Sequence, residues 1–160
     1  MDTSYDRLGP LSLLVGTWTG DGRGAYPTVA GFDYVEEASF VDGGVKPFLT
    51  YRQTTWSPGK ERVMHVESGY LRWSGSEAEM VVVHPTGIVE ASRCDLHLLP
   101  DGVELRFRST SVSMTPTAKR VDDVARRLRV RGDLLEYEVE MAAVGLALQP
   151  HLVATLRRST

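Results

Sequence analysis

The sequence predicts an all-β fold, an antiparallel up-and-down barrel closed around a cavity, with a short helical cap near its N-terminus. Three observations carry this prediction. Helical periodicity is almost absent; the chain breaks into about ten short alternating runs separated by turn residues; and segment 16–28 sets glycines at 16, 20, 22 and 24 on one alternating face, with a tryptophan between the first two. Glycine weakens a strand, because it gives up much backbone freedom and packs no side chain, so repeating it along one face implies a close approach to the backbone there. The even-numbered face reads Gly16, Trp18, Gly20, Gly22, Gly24, Tyr26, which is the period of a strand. Trp18 is expected to close one end of the barrel, and the glycines to leave a bare floor inside or to permit a sharp bend.

The remaining elements follow in order. Residues 8–15, with Leu8, Leu11, Leu14 and Val15, read as a short helix or helical turn capping one mouth. After the glycine strand come runs at 31–41, 48–56 and 62–73, then 78–84, 88–99 (with a division point near Cys94), 103–113, 124–131, 134–143 and 151–157. Asp42-Gly43-Gly44, Ser57-Pro58-Gly59-Lys60, Pro85-Thr86-Gly87, Pro100-Asp101-Gly102 and Gly132-Asp133 supply turn chemistry between them. Residues 113–119 read as a loop. So many strands with short links form an antiparallel meander, and curling it into a barrel removes its edges. Without repeats, low-complexity segments or a linker, residues 1–160 are expected to form one domain.

Composition excludes several classes. A net charge of -3 gives no general attraction to nucleic acid or anionic membranes. The single cysteine, Cys94, rules out an internal disulfide, reads as a small buried residue and suits a reducing compartment. Residues 1–7 lack the plan of a signal peptide, and no apolar run approaches the roughly 18 residues of a membrane span. A cytoplasmic protein is expected.

Two regions bear candidate ligand groups. In residues 134–143 one face carries Leu135, Tyr137, Val139, Met141 and Ala143 while Glu136, Glu138 and Glu140 face water, so Met141 points inward. Pro150 then fixes the entry of the last strand and sets His151 at a defined place on the rim or inner wall. The parity of His151 is divided: Val153 and Thr155 share its face, Leu152, Ala154 and Leu156 the other, as if both faces were covered by a subunit partner. In the long run 62–73, Met64 and His65 are adjacent and would face opposite ways, unless the strand starts irregularly. Thioether and imidazole are both iron ligands and both ordinary wall residues.

Other signals read as structural. His84 and His97 have no neighbouring cluster, and the run Arg126-Arg127-Leu128-Arg129-Val130-Arg131 reads as a solvated outer face opposite the glutamates of the next strand. The glycines of 20–24 are wrongly spaced for a nucleotide loop, and no nucleophile elbow, zinc-binding helix or paired cysteine motif occurs. These residues alone support a closed barrel with an apolar, glycine-floored cavity, without naming the ligand.

Gly16-x-Trp18 near the start of a small all-β chain resembles the lipocalin and fatty-acid-binding-protein (calycin) superfamily. The longer string 16–28 resembles the motif of the nitrobindins, small haem-binding barrels, and so do Met64-His65-Val66-Glu67-Ser68-Gly69-Tyr70 and Met141-Ala142-Ala143 through Leu148-Gln149-Pro150-His151-Leu152. The blocks occur in the family's order from the start of the chain to its end. The resemblance implies a ten-stranded barrel holding one haem b per chain, with His151 as the proximal iron ligand and Met64, His65 and Met141 lining the pocket. It further implies Thr28 near the haem edge, Lys119 in a loop that could meet a propionate, and Gly16, Trp18, Gly20 and Gly22 as the family motif. The activity implied is isomerisation of peroxynitrite to nitrate on ferric haem, with nitric oxide as a further ligand, an apolar distal side, and a homodimer within the family's range. Two other readings stand beside it. One is a carrier of a fatty acid or similar apolar ligand, held by an inward Arg52, Arg72, Arg106 or Arg108; the other is a haem-based nitric oxide sensor.

Overall fold

The structure, a computed structural model, describes residues 7–159. Its strands are β1 (Gly16–Tyr26), β2 (Val29–Asp42), β3 (Phe48–Trp56), β4 (Val63–Trp73), β5 (Ala78–His84), β6 (Ile88–Leu99), β7 (Gly102–Met114), β8 (Val121–Arg131), β9 (Leu134–Ala143) and β10 (Gln149–Arg158). All neighbours pair antiparallel in chain order, and β1 pairs with β10 from Trp18↔Arg158 to Gly24↔Leu152 to close the barrel. The predicted fold class is the observed one. Strand β6, with its suspected division near Cys94, runs unbroken and carries only a register shift between Ala91 and Ser92. Cys94 is half-buried, and burial pushes its thiol up to about 12.

One end of the barrel is plugged. A 3-10 turn, Gly9–Leu14, lies across it and buries Leu11 and Leu14; Leu8, Trp18, Phe40, Leu49, Leu71, Leu105, Leu135 and Leu156 are buried with them. The Trp18 indole donates from Nε1 to Leu14 O at 2.8 Å, and the Arg158 guanidinium stacks 4.1 Å from the indole centroid on its way to Leu13 O at 3.0 Å. Those bonds satisfy carbonyls that the short turn leaves open, and the cation rests on a ring face that attracts it.

The even face of β1 points inward, as its spacing predicts, but its floor is not bare. A Cβ added to Gly22 would lie 2.2 Å from the Tyr34 ring, and one at Gly24 2.4 Å from the Phe32 ring. The room opened by the glycines is taken by aromatic rings of β2. At Gly20 the same absence lets Thr155 O of β10 come within 2.1 Å of where a Cβ would stand, and Gly16 enters the strand at a φ of +133°.

Candidate functional site

The other end of the barrel is open, and a cavity of about 260 Å³ descends from it. Phe32, Val121, Val139, Met141 and Leu152 give it an apolar upper wall; Met64, His65, His84 and His151 add sulfur and imidazole; Glu67, Glu90 and Arg126 are reached below.

His151 gets there through a bulge. Strand β10 pairs Pro150 with Glu140 and Leu152 with Val139, which leaves His151 as an extra residue. An extra residue re-aims its side chain, so His151 and Leu152 both line the cavity although they are neighbours. The divided parity of the last strand comes from this bulge, with Val153 and Thr155 exposed on the outside. The ring is fixed by its own partners: Nδ1 donates to Ala25 O at 3.1 Å, and the Tyr26 ring stands edge-on with centroids 5.4 Å apart. Tyr26 is itself held, its hydroxyl accepting from Ala143 N at 2.9 Å. With Nδ1 carrying the proton, Nε2 keeps a lone pair. Burial lowers the pKa of His151 and favours this neutral form.

Met64 and His65 are handled the same way. β3 pairs Thr55 with His65 and Trp56 with Val63, so Met64 is the extra residue, and both side chains line the cavity. The irregular start that would allow this is what the structure has. Met141 lines the cavity from β9. Thr28 and Lys119 do not line it: Thr28 is exposed in the β1–β2 turn, and Lys119 is exposed in the β7–β8 connection. Both connections lie at the open end.

Below the mouth the interior is polar, and here the expectation of an apolar cavity is corrected. Arg126 shares the inward parity of Val124, Leu128 and Val130, and its side chain is only 9 % exposed. It donates to Glu67 Oε1 at 2.7 Å and Glu90 Oε2 at 2.8 Å. The solvated-face reading holds for its neighbours: Arg127 sits opposite Glu138 and Arg129 opposite Glu136. Glu67 Oε1 also accepts from Tyr51 Oη at 2.7 Å. Burial would raise the Glu67 pKa, but the charge of Arg126 and the hydrogen bond to His65 outweigh it and hold the carboxyl well below the usual range. At Glu36 burial is the largest influence and the charge of Arg126 the smallest. Glu36 accepts from Gln53 Nε2 at 2.6 Å and from Tyr137 Oη, and burial pushes it up to about 7.

His84 was invisible as a site residue because nothing beside it in sequence marks it. The hairpin of β5 and β6 and the neighbouring β4 bring its ring 5.3 Å from that of His65, with Nε2 on Glu90 Oε2. Alternation from Met80 and Val82 would have placed it inward. His97 stays outside the site, beside Asp95 at 3.2 Å, and Arg52, Arg72, Arg106 and Arg108, the proposed carboxylate clamps, are all exposed.

A closed barrel with one plugged end and one imidazole-lined open end defines a small-ligand-binding barrel. The family of the THAP4-like, heme-binding beta-barrel domain matches residues 7–158, and the chain belongs to it. Relatives include a peroxynitrite isomerase of Nocardia farcinica, 46% identical over 94% of this chain and 90% of its own length, and peroxynitrite isomerase 2 of Mycobacterium avium, 45% identical over 94% of each. The crystal structure of Rv2717c from M. tuberculosis superposes with a TM-score of 0.91 at 39% identity, covering 100% of this chain and 99% of the other.

The site fits a haem on its own chemistry. It offers an imidazole whose proton is already committed to a backbone carbonyl, beside an apolar upper wall open at the barrel's end. Among the described residues no helix is long and apolar enough to cross a membrane.

Proposed function

We propose that this chain is a single-domain, haem-dependent peroxynitrite isomerase that would hold one haem b through an iron bond from His151 Nε2. The observation that carries the reading is the bulge at His151, which turns the ring into the cavity while Ala25 O accepts from Nδ1. Membership of a heme-binding family and relatives named peroxynitrite isomerase support it. A bound ferric haem would supply a Lewis-acidic centre for a small anion. The chain's own residues bind and orient. Ala25 and Tyr26 fix the imidazole plane, Phe32, Val139, Met141 and Leu152 exclude water, and Met64 and His65 complete the wall. Thr28 and Lys119 belong to this reading as groups at the open end, for the haem edge and a propionate respectively. Nitric oxide is a second small ligand of the same centre, and the protein works in the cytoplasm. We also assign a homodimer to this reading. Tyr70, Val81, Val83 and Val89 are exposed on adjoining strands β4, β5 and β6, and the mass in solution decides it.

The carrier reading is weaker, because Arg126, the inward arginine, is already paired with two carboxylates. Ferric haem titrated into the purified protein should give a Soret band and speed peroxynitrite decay in stopped flow. His151→Ala should weaken haem binding by roughly 100-fold or more, about 2.7 kcal/mol. Unchanged affinity and spectrum in that variant would remove His151 from the iron.

A further inference from the structure

His65 Nε2, Glu67 Oε2 and His84 Nδ1 converge. The three separations are 3.2 Å between the imidazole nitrogens, 3.3 Å from His65 to Glu67 and 3.4 Å from His84 to Glu67. Three ligands on one face of a tetrahedral Zn2+ at about 2.0–2.1 Å lie roughly 3.3–3.4 Å from one another. The triangle therefore has the size and near-equal sides of such a face. Its chemistry agrees: two imidazoles and a carboxylate suit zinc, with the fourth position left to the cavity that all three residues line.

The surrounding bonds prepare these atoms as ligands. Glu90 is held by Arg126 and can only accept, so the His84 nitrogen that meets it, Nε2, carries a proton. In neutral His84 this leaves Nδ1 bare and turned to the triangle. Arg126 and Tyr51 both place their short bonds on Glu67 Oε1, and Arg126 Nη2 reaches Oε2 only at 3.4 Å, so Oε2 keeps acceptor capacity for the triangle. Two acceptors, His84 Nδ1 and Glu67 Oε2, thus face one another, and within the triangle the single N–H of a neutral His65 is shared between them. A cation at the centre satisfies all three at once. Glu67 and Glu90, against the one guanidinium of Arg126, leave a net negative charge for it to meet. Glu90 Oε1, buried without a hydrogen-bond partner, adds unspent acceptor capacity on the same wall.

We infer that His65, Glu67 and His84 form a binding site for a divalent transition ion, Zn2+ by ligand set, separate from the haem iron. His151 is not among the groups that converge there, so the triangle is a donor set of its own. The inference stands whether or not His151 binds haem.

Zinc retained by the full chain after equilibrium dialysis, with and without loaded haem, tests it by elemental analysis. The expected result is one zinc per chain. It should be lost in His65→Gln/His84→Gln, bound about 10–100-fold more weakly in Glu90→Gln, where the ligand's orienting partner is weakened, and kept in His151→Ala. Thermal unfolding establishes that each variant is folded. Co2+ in place of zinc should give the intense visible bands of a tetrahedral centre, lost in the same double variant. Failure to retain zinc, or retention unchanged in a folded double variant, overturns the site and leaves a shared proton in the triangle. A Soret band lost in His151→Ala while zinc is kept separates the two centres.

Discussion

At the plugged end of the barrel the strands alternate without interruption: Leu49 pairs with Leu71, Leu135 with Leu156 and Val103 with Val130, each buried on the inner face. Toward the open end five of the pairings shift register, between Gly24 and Tyr26, Thr55 and Trp56, Ala91 and Ser92, Val121 and Asp123, and Pro150 and Leu152. Regular pairing gives one inward side chain for every two residues, which suits close packing. A bulge gives two neighbours in succession, so Met64 with His65 and His151 with Leu152 crowd one cavity. The plugged end stores stability, and the open end gives up regular pairing to concentrate functional groups.

Removing the plug is the largest way to break that comparison. Trp18→Ala should cost about 3–5 kcal/mol in denaturant unfolding, because it opens a large cavity and removes the donor to Leu14 O and the ring beneath Arg158. Haem affinity of the folded fraction should stay near wild type, since Trp18 lies in the plugged end. A loss under about 1 kcal/mol would show that this end is not where stability is held.

Arg126→Met comes next. It leaves Glu67 and Glu90 buried without their cation, a change that costs about 3–5 kcal/mol when one partner of a buried pair is deleted. Neutralising the carboxylates in Arg126→Met/Glu67→Gln/Glu90→Gln should return most of that loss, which packing alone would not do. Equal stability of the single and triple variants, compared by urea unfolding at pH 7, would rule out the electrostatic account.

How far these residues could be read from sequence follows from the same contrast. The plugged end was legible because Trp18, Leu135 and Leu156 obey strict alternation, and their strand limits came within a few residues. Alternation placed Met141 inward and Pro150 marked His151, while resemblance gave these residues and Met64 their roles; the bulges that turn His151 and Met64 inward leave no mark in a hydrophobic pattern. Arg126 was misread as solvated because its arginine neighbours are, although its parity with Leu128 and Val130 argued otherwise. His84 needed Glu67 and Glu90 from two other strands, a juxtaposition made only when the barrel closes. The glycine floor was read correctly as a place of close approach, but its occupants, Phe32 and Tyr34, come from the paired strand.

The smallest effect sharpens the comparison within the polar layer, between a carboxylate bonded to a cation and one held by neutral donors. Glu67 is held ionised by Arg126, so its contribution to stability is present at neutral pH and is lost on acidification below the unfolded carboxylate range. Glu36 behaves in the opposite sense. Burial raises its pKa from 4.5 to about 7, so the folded chain binds a proton that the unfolded chain has released, and stability falls as pH rises from about 4.5 to 7. Fully developed above pH 7, this penalty is roughly 3 kcal/mol. Glu36→Gln keeps an acceptor for Tyr137 and Gln53 and carries no charge, so it should gain on wild type steadily across that window and stay level above it. The acid limb due to Glu67 is common to both proteins and cancels in the difference. Unfolding midpoints at pH 5, 6, 7 and 8 read that difference directly, and a gap that does not change with pH would mean that Glu36 stays ionised throughout.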